Sequence, residues 1–365
     1  MIHMAATTLF SLMHDLSQWI GDVFTWLFGV TGIKEIQGIG NWANDPGPVN
    51  FLAIVLTCVI FFVGAFLVGL TVIWQERKTL GRIMDRRGTQ VGMIGLFQNF
   101  ADGIKTLLKE IIIPKEADER LYTYAVVGII ATSAMLLGLV PWSDRYFVAN
   151  VPLALLVGLA VFSLAPFFIL IGGWASNNKY TVIGGMRAAA QLIAYEVPLL
   201  LVVVSVVIMT GSLNFNEIVG YQQNHLWLFI PLFIGFVTFF TCGIAESERV
   251  PFDLPEAEAE LVEGWQTEYG GFRWGLIMLS DYLRAYIASA LIAILFLGGW
   301  DGPFLPPEVW YLLKTFFVFF IMIWVRAAMV RIRTDQILKI GWKRLLPLAV
   351  INLVVAVALK AMGWF

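Results

Sequence analysis

The residues best suited to chemistry lie in one acidic stretch, from Glu246 to Tyr269. It holds eight carboxylates and a single basic residue, Arg249, and apolar segments flank it on both sides. Carboxylates this close together repel one another, so some of them hold protons near neutral pH unless they are solvated or paired. The stretch is therefore suited to taking up and releasing protons, although a solvated charged loop is the alternative. The eight acids are Glu246, Glu248, Asp253, Glu256, Glu258, Glu260, Glu263 and Glu268.

Local spacing predicts an ordered helix within this stretch. Asp253-Leu-Pro-Glu256 has the features of a helix start, with Asp253 as the N-cap, proline in the first turn and Glu256 three residues after the cap. In such a helix Glu256, Glu260 and Glu263 would share one face. We therefore expect a helix to begin directly after Asp253.

A further acid, Glu196, lies inside an apolar run, in the sequence Ala194-Tyr-Glu-Val-Pro198. An ionised carboxylate at membrane depth is costly, so it usually faces the bundle interior, pairs with a partner or holds a proton. Pro198 also frees a backbone carbonyl nearby. These features favour a role in a proton path, and the alternative is a structural hydrogen bond with Arg187 or Tyr195.

The composition is that of a membrane protein. Of the 365 residues, 59% are hydrophobic and only 14% are charged, and the mean hydropathy is +0.79, whereas about 25% of residues are charged in soluble domains. The two cysteines, Cys58 and Cys242, lie far apart in apolar segments, and the three histidines have no ligand spacing. We expect no metal site and no redox centre in this chain, so any redox groups would belong to partner chains or to a bound small molecule.

Hydropathy predicts an all-α, polytopic membrane protein with eight transmembrane helices, since eight apolar runs have about the 20 residues needed to cross a bilayer. Residues 51–365 would form this membrane domain. Residues 1–50 would form an N-terminal extension containing an amphipathic or interfacial helix. The predicted spans are Phe51–Trp74, Leu121–Val140, Val151–Gly173, Ala190–Thr210, Trp227–Ala245, Gly275–Gly298, Tyr311–Ala328 and Leu346–Met362.

The basic residues predict how these spans are oriented. Four segments on alternate sides of successive spans hold 20 of the 24 Lys and Arg residues. The loops 211–226 and 299–310, on the opposite side, hold none. The positive-inside rule therefore places the four charged segments in the cytoplasm. They are Trp74–Arg120, Trp174–Ala189, Glu246–Arg284 and Arg326–Arg344.

Several stretches resemble one family closely, the H subunit of complex I, known in mitochondria as NADH dehydrogenase subunit one. The most specific is Pro251-Phe-Asp-Leu-Pro-Glu-Ala-Glu258, and the resemblance extends from about Phe51 to the end of the chain. The other stretches are Glu76-Arg-Lys, Val91-Gly, Ala101-Asp-Gly-Ile-Lys105, Gly173-Trp-Ala-Ser-Asn-Asn-Lys-Tyr180, Tyr195-Glu196, Glu260-Leu-Val, Thr267-Glu-Tyr269 and Arg331-Ile-Arg-Thr-Asp-Gln336.

This resemblance implies roles for individual residues. The implied quinone-chamber residues are Glu76, Arg77, Asp102, Lys105, Arg331 and Arg333. The implied proton-coupling residues are Glu196, Glu246, Asp253, Glu256, Glu258, Glu260 and Glu268. Arg249 and Arg273 lie beside the acidic loop as possible ion-pair partners. The chain would bind no cofactor alone, quinone or methanophenazine would be its substrate, and partner subunits would carry iron–sulfur clusters and flavin.

Two positions depart from the family pattern. Gly88-Thr-Gln-Val-Gly92 is one residue shorter than the usual sequence and lacks its proline and arginine, and Ser163 occupies a third-span position where many members have glutamate. These departures suggest a relative that uses another electron donor, such as ferredoxin or reduced deazaflavin, as in the ferredoxin-linked photosynthetic and archaeal branches.

The resemblance implies a membrane subunit of a proton-translocating oxidoreductase that couples quinone reduction to proton translocation in a prokaryotic plasma membrane. Its expected partners are peripheral-arm iron–sulfur subunits, small and antiporter-like membrane subunits and lipid, but not nucleic acid. One alternative is a stand-alone secondary cation or proton transporter, which Glu196 would also serve. The crowded first loop and the lack of a visible internal repeat favour a docked subunit. Another alternative is a purely structural anchor for a peripheral enzyme.

Overall fold

The computed structural model describes residues 48–144, 151–255 and 258–363, and these form helices without a strand. The helices are α1 Pro48–Ile83, α2 Phe97–Leu108, α3 Glu119–Leu139, α4 Ala154–Phe162, α5 Ala165–Ala175, α6 Lys179–Thr210, α7 Phe215–Asn224, α8 Phe233–Glu246, α9 Glu258–Leu261, α10 Gly271–Phe296, α11 Pro307–Ala328, α12 Thr334–Ile340 and α13 Leu346–Ala361. Short 3₁₀ turns occupy Met93–Gly95 and Gly264–Gln266, and the π-helical turn Gly341–Leu345 joins α12 to α13.

Six helical segments among the described residues are long and apolar enough to cross a membrane. They are α3, α4 with α5, α6, α10, α11, and α12 with α13. A shorter apolar helix, α8, lies in the predicted fifth span, and the 36-residue α1 covers the predicted first span. The all-helical class is thus confirmed. The number of eight spans stays a prediction, and the N-terminal amphipathic helix lies outside the described residues.

Helix α10 forms the centre of the bundle, and 94% of its most apolar 18-residue stretch is buried. It packs against α1, α3, α8 and α11, while α6 packs against α5, α8 and α13. Its residues from Ala285 to Phe296 are all buried. Polar side chains on α10 are therefore held inside the protein, where they must find partners within it.

The predicted third span is broken in the middle. Helix α4 ends at Phe162 and α5 begins at Ala165, with Pro166 in its first turn. The Ser163 hydroxyl, which lies at the break, donates to the carbonyl oxygens of Leu159 and Ala160, at 3.3 and 3.0 Å. The break thus places a polar residue in an otherwise apolar segment.

At the end of the bundle that has few basic residues, two lysines cap the C-termini of helices. Lys314 Nζ donates to the carbonyl oxygens of Leu297 and Asp301, each at 2.6 Å, and Leu297 is the C-cap of α10. Lys360 Nζ donates to the carbonyl oxygen of Met209, in the last turn of α6, at 2.7 Å. A cation at a helix C-terminus stabilises the helix dipole and its free carbonyls.

Candidate proton-coupling site

Glu76 joins three of the four charged segments at one end of the bundle. This residue of α1 is 3% exposed, and both of its carboxylate oxygens lie 2.7 Å from Arg249 Nη1. Arg326, near the end of α11, donates to the same carboxylate. The Arg249 guanidinium also lies 4.2 Å from the centre of the Tyr282 ring. Arg249, a possible ion-pair partner of the acidic loop, therefore forms its ion pair with α1 instead.

A polar cavity of about 100 Å³ opens beside this group. A space of that size holds several water molecules. Its wall combines acids, arginines and a tyrosine, so it can surround either a polar head-group or ordered water. The lining residues are Ser247, Glu248, Arg249, Val250, Asp253, Met278, Asp281, Tyr282 and Arg326.

Glu248 is a buried acid in the wall of this cavity. It is 3% exposed, and its backbone has a positive φ of 50°. Neither of its carboxylate oxygens has a hydrogen-bond partner among the described residues. Burial raises the pKa of Glu248 to about 7; Arg284 opposes this shift, and the negative charges of Asp281 and Asp253 add to it.

Asp281 and Arg284 form an ion pair inside α10. Arg284 Nη2 lies 2.5 Å from Asp281 Oδ1, and the two residues are 2% and 6% exposed. Gln266 Nε2 donates to the other carboxylate oxygen of Asp281 at 3.3 Å. The cost of desolvating these charges is therefore offset by a short ion pair and an additional hydrogen bond.

Glu246 connects the cavity region to the membrane helices. It is the last residue of α8 and is 4% exposed. It lies close enough to Arg284, Glu248 and Glu196 for their charges to affect it. Glu196, half-buried on α6, lies close enough to the Ser163 side chain to interact with it. The polar residue at the break of the third span is thus a neighbour of the fourth-span acid.

The partners expected for Glu196 bind elsewhere. Arg187 Nη1 pairs with Glu260 Oε2 at 2.7 Å, and the Tyr195 hydroxyl donates to the carbonyl oxygen of Ile337 at 3.0 Å. The prediction of Arg187 or Tyr195 as the structural partner of Glu196 is therefore wrong. Instead, these two residues of α6 fix the acidic loop and α12.

Helix α6 also holds the acidic loop in place through Gln191. Its side-chain amide donates to the carbonyl oxygens of Ala245 and Phe252, at 2.9 and 2.8 Å. Closer to the N-terminus of the same helix, a Cβ added to Gly184 would lie 2.6 Å from the backbone nitrogen of Trp265. Glycine at this position therefore allows the loop backbone to lie directly against α6.

Asp253 does not cap a helix, which corrects the predicted helix start. Leu254 and Pro255 are not helical, and α9 begins at Glu258. Arg331 Nη2 donates to Asp253 Oδ2 at 2.8 Å, so a long-range ion pair takes the place of the local cap. Burial raises the pKa of Asp253, and Arg331 opposes that shift. Glu263 lies beyond α9, and Glu256 lies outside the described residues.

Glu260 and Glu268 lie outside the cavity wall, and the side chain of Glu258 is not among those that the structure describes. Glu260 pairs with Arg187, as described above, and Glu268 Oε1 accepts a hydrogen bond from Asn178 Nδ2 at 2.7 Å. Arg273 is the other possible ion-pair partner of the acidic loop. Instead it donates to Thr123 Oγ1 at 3.1 Å, and its guanidinium lies 5.1 Å from the centre of the Tyr122 ring.

Of the predicted residues of the first and last loops, only some lie near the cavity. Arg77 Nη1 lies 2.5 Å from Asp102 Oδ2, and the expected contact between Lys105 and Asp102 is present at 4.0 Å. This group is partly solvent-exposed and does not line the cavity. Arg331 reaches Asp253, whereas Arg333 is exposed directly before α12.

The residue roles implied by the resemblance left out four residues that the structure places at or beside the cavity, although Glu248 was counted among the eight acids. Glu248, Asp281, Arg284 and Arg326 all contact the cavity or its buried charges. Asp281 and Arg284 lie inside the predicted sixth span, so the principle applied to Glu196, that ionisable groups within a span are functional, would have found them. No group of three His, Cys, Asp or Glu side chains in the described part of the chain is placed to hold a metal ion.

Comparisons with known proteins support one family. Residues 55–357 match the family model described as NADH dehydrogenase. The chain is 43% identical over 331 residues to the H subunits of NADH-quinone oxidoreductase from Bacillus thuringiensis (strain Al Hakam), Bacillus cereus (strain AH187) and Bacillus anthracis (strain CDC 684 / NRRL 3495). Each match covers 89% of this chain and 97% of the relative.

Proposed function

Because this chain belongs to the NADH dehydrogenase family, we propose that it is the membrane subunit through which a proton-translocating NADH-quinone oxidoreductase couples quinone reduction to proton movement. It forms part of the chamber in which the quinone head-group is reduced. It also carries the resulting change in charge to the membrane helices. The chain catalyses no redox step by itself.

One observation carries this proposal: a row of buried charges leads from the polar cavity into the membrane bundle. The row begins with Glu248 and Asp281 in the cavity wall and continues through Arg284 behind them. It then reaches Glu246 at the end of α8 and Glu196 on α6. Burying so many charges is costly, and a purely structural anchor would not need them.

The charges in this row can respond to reduction of a quinone. A reduced head-group gains negative charge or takes protons from its surroundings, and either event changes the electrostatic field at acids a few ångströms away. A nearby negative charge raises the pKa of a carboxyl group, and interacting acids titrate as a coupled set. Proton uptake at the cavity is thereby linked to proton release further along the row, towards Glu196.

The charged end of the bundle suits docking of partner subunits. Arg77, Asp102 and Lys105 lie partly exposed on the first loop, and Arg331 and Arg333 are exposed near the last one. In this proposal these residues form the rim of the chamber, which peripheral iron–sulfur subunits complete. Those partners carry the iron–sulfur clusters and flavin. Small and antiporter-like membrane subunits continue the proton path from Glu196.

The relatives' name supports NADH as the donor and quinone as the acceptor, and we adopt both for this chain. The shortened sequence Gly88–Gly92 and Ser163 are the features that favoured ferredoxin or reduced deazaflavin, with methanophenazine as another acceptor. Assaying one purified complex with each donor and acceptor separates these cases. We place the charged end on the cytoplasmic side of a prokaryotic plasma membrane, because basic residues concentrate there.

Purification of the tagged chain in mild detergent tests this function. The proposal predicts that iron–sulfur proteins co-purify and that the preparation reduces quinone with NADH. A monomeric chain that transports cations by itself in liposomes would instead establish the secondary-transporter alternative. Activity with reduced ferredoxin but not with NADH would retain the coupling role and correct the donor.

A further inference from the structure

Three carboxylates surround one guanidinium beneath the cavity. Glu246, Glu248 and Asp281 are 4%, 3% and 6% exposed, and Arg284 is 2% exposed. Among the described residues Arg284 makes a hydrogen bond with Asp281 alone, but it lies close enough to the other two acids to interact with their charges. One cation does not balance three ionised carboxylates, and burial this deep favours the protonated form of a carboxyl group.

The hydrogen bonds of this cluster are incomplete. Arg284 Nε and Nη1 have no acceptor among the described residues, and both Glu248 oxygens and Glu246 Oε1 have no donor there. A buried polar atom without a partner is costly, so such atoms usually bind water or exchange partners. Arg284 therefore has two nitrogens, Nε and Nη1, whose N–H groups can bind a second carboxylate.

The cavity reaches only part of the cluster. Glu248 and Asp281 line it, whereas Arg284 and Glu246 do not. Asp281 already accepts hydrogen bonds from Arg284 and Gln266, and Glu248 accepts none from the described residues. Glu248 is consequently the acid that combines access to the cavity with free oxygens.

We propose that Glu248 exchanges a proton with water in the cavity and that Arg284 is the positioning residue that controls this exchange. The proposal rests on the function given above and extends it to two residues. In the release step the O–H bond of the Glu248 carboxyl breaks, the electron pair stays on the carboxylate and the proton passes to a cavity water. Arg284 then donates its free N–H groups to the new carboxylate.

Charged groups from every neighbouring element act on Glu248. Positive charges favour its ionised form, and negative charges favour its protonated form. The arginines can therefore lower its proton affinity, and the acids can raise it. The groups that face it directly are Arg249 and Asp253 on its own loop, Glu246 on α8, Asp281, Tyr282 and Arg284 on α10, and Arg326 on α11. Two further acids act indirectly: Glu196 on α6 is a neighbour of Glu246, and Glu76 on α1 is the partner of Arg249.

Infrared pH titration of the purified complex, without NADH or quinone, tests the proposal. The wild-type complex should lose the band of one protonated carboxyl group near neutral pH, and Glu248→Gln should lack that transition. Arg284→Gln should move the transition upward by about one pH unit or more, because an adjacent cation is lost. Arg284→Lys, which keeps the charge, should move it less. Glu263→Gln, which removes an exposed acid of the same loop, is the matched control and should leave it unchanged.

Two results would overturn the proposal: a transition that persists in Glu248→Gln, or one that stays at the wild-type pH in Arg284→Gln. If Arg284→Gln fails to assemble, the double variant Glu248→Gln/Arg284→Gln removes both charges. It should then assemble better than the single variant, and equal failure of both contradicts the pairing. Because this titration involves no turnover, its outcome is independent of any pumping assay that tests the proposed function.

Discussion

Arg249 Nη1 lies 2.7 Å from both carboxylate oxygens of Glu76. This ion pair joins the loop after α8 to the C-terminal part of α1. The two residues are 173 positions apart in the chain. Arg326 donates to the same carboxylate from α11. One buried acid thus holds three elements around the polar cavity, so the shape of the cavity depends on Glu76.

Glu76→Gln should destabilise the folded subunit by about 3–5 kcal/mol, because it leaves two arginines without their shared carboxylate in a buried site. Thermal unfolding of the detergent-purified complex measures this loss. Asp102→Asn is the matched control, since the side chains of Arg77 and Asp102 are 44% and 38% exposed. Exposed pairs contribute about 1 kcal/mol or less. Equal losses in both variants would contradict the central role of Glu76.

Glu248 should make the stability of the complex depend on pH. Burial raises its pKa from 4.5 to about 7, so between these values the folded state holds a proton that the unfolded state has lost. Stability from this group is therefore complete below pH 4.5 and is lost as the pH rises through 7. The melting temperature of Glu248→Gln relative to wild type should rise with pH across that window. A difference that is constant with pH would refute this.

Arg331→Ala should change quinone reduction through Asp253. Burial already raises the pKa of Asp253, and Arg331 at 2.8 Å opposes this shift, so removing the arginine should raise that pKa further. The pH profile of quinone reduction should move upward by about one unit. Lys339→Ala, which breaks an exposed pair with Asp335, should leave the profile in place. An unchanged profile in Arg331→Ala would favour a purely structural last loop.

Gly184→Ala should weaken the contact between α6 and the acidic loop. The added Cβ would lie 2.6–2.8 Å from backbone atoms of Gly264 and Trp265, so the loop must move. Overpacking of this kind costs about 1–3 kcal/mol. Gly220→Ala is the control, because no atom lies within 4 Å of a Cβ added there. Comparable melting temperatures for the two variants would show that the loop tolerates the displacement.

Much of the architecture could be predicted from sequence because membrane insertion depends on local composition. Apolar runs of about 20 residues predicted the helices, and the charged segments that were expected on one side meet through Glu76, Arg249 and Arg326. Local spacing failed at Asp253, where the sequence has the N-cap pattern but no helix begins, and a distant partner, Arg331, binds the carboxylate instead. An ion pair between residues far apart in sequence leaves no periodic signal along the chain.

The core of the site was harder to predict. Asp281 and Arg284 are three residues apart inside an apolar run, and the many apolar residues around them mask the two charges in a hydropathy average. Arg187 or Tyr195 was the predicted partner of Glu196, but Arg187 pairs with Glu260, Tyr195 donates to Ile337, and Ser163 of another helical segment lies beside Glu196. Helix packing decides such partners, and a single sequence does not specify it.

The central claim is that the buried row of charges carries protons from the cavity to Glu196. The most direct measurement is the ratio of protons translocated to electrons transferred, using Glu196→Gln complexes reconstituted in liposomes. The peripheral redox reaction, assayed with an artificial acceptor, should match wild type. The account predicts that proton translocation per electron falls clearly below the wild-type ratio. A wild-type ratio in the variant would contradict the account.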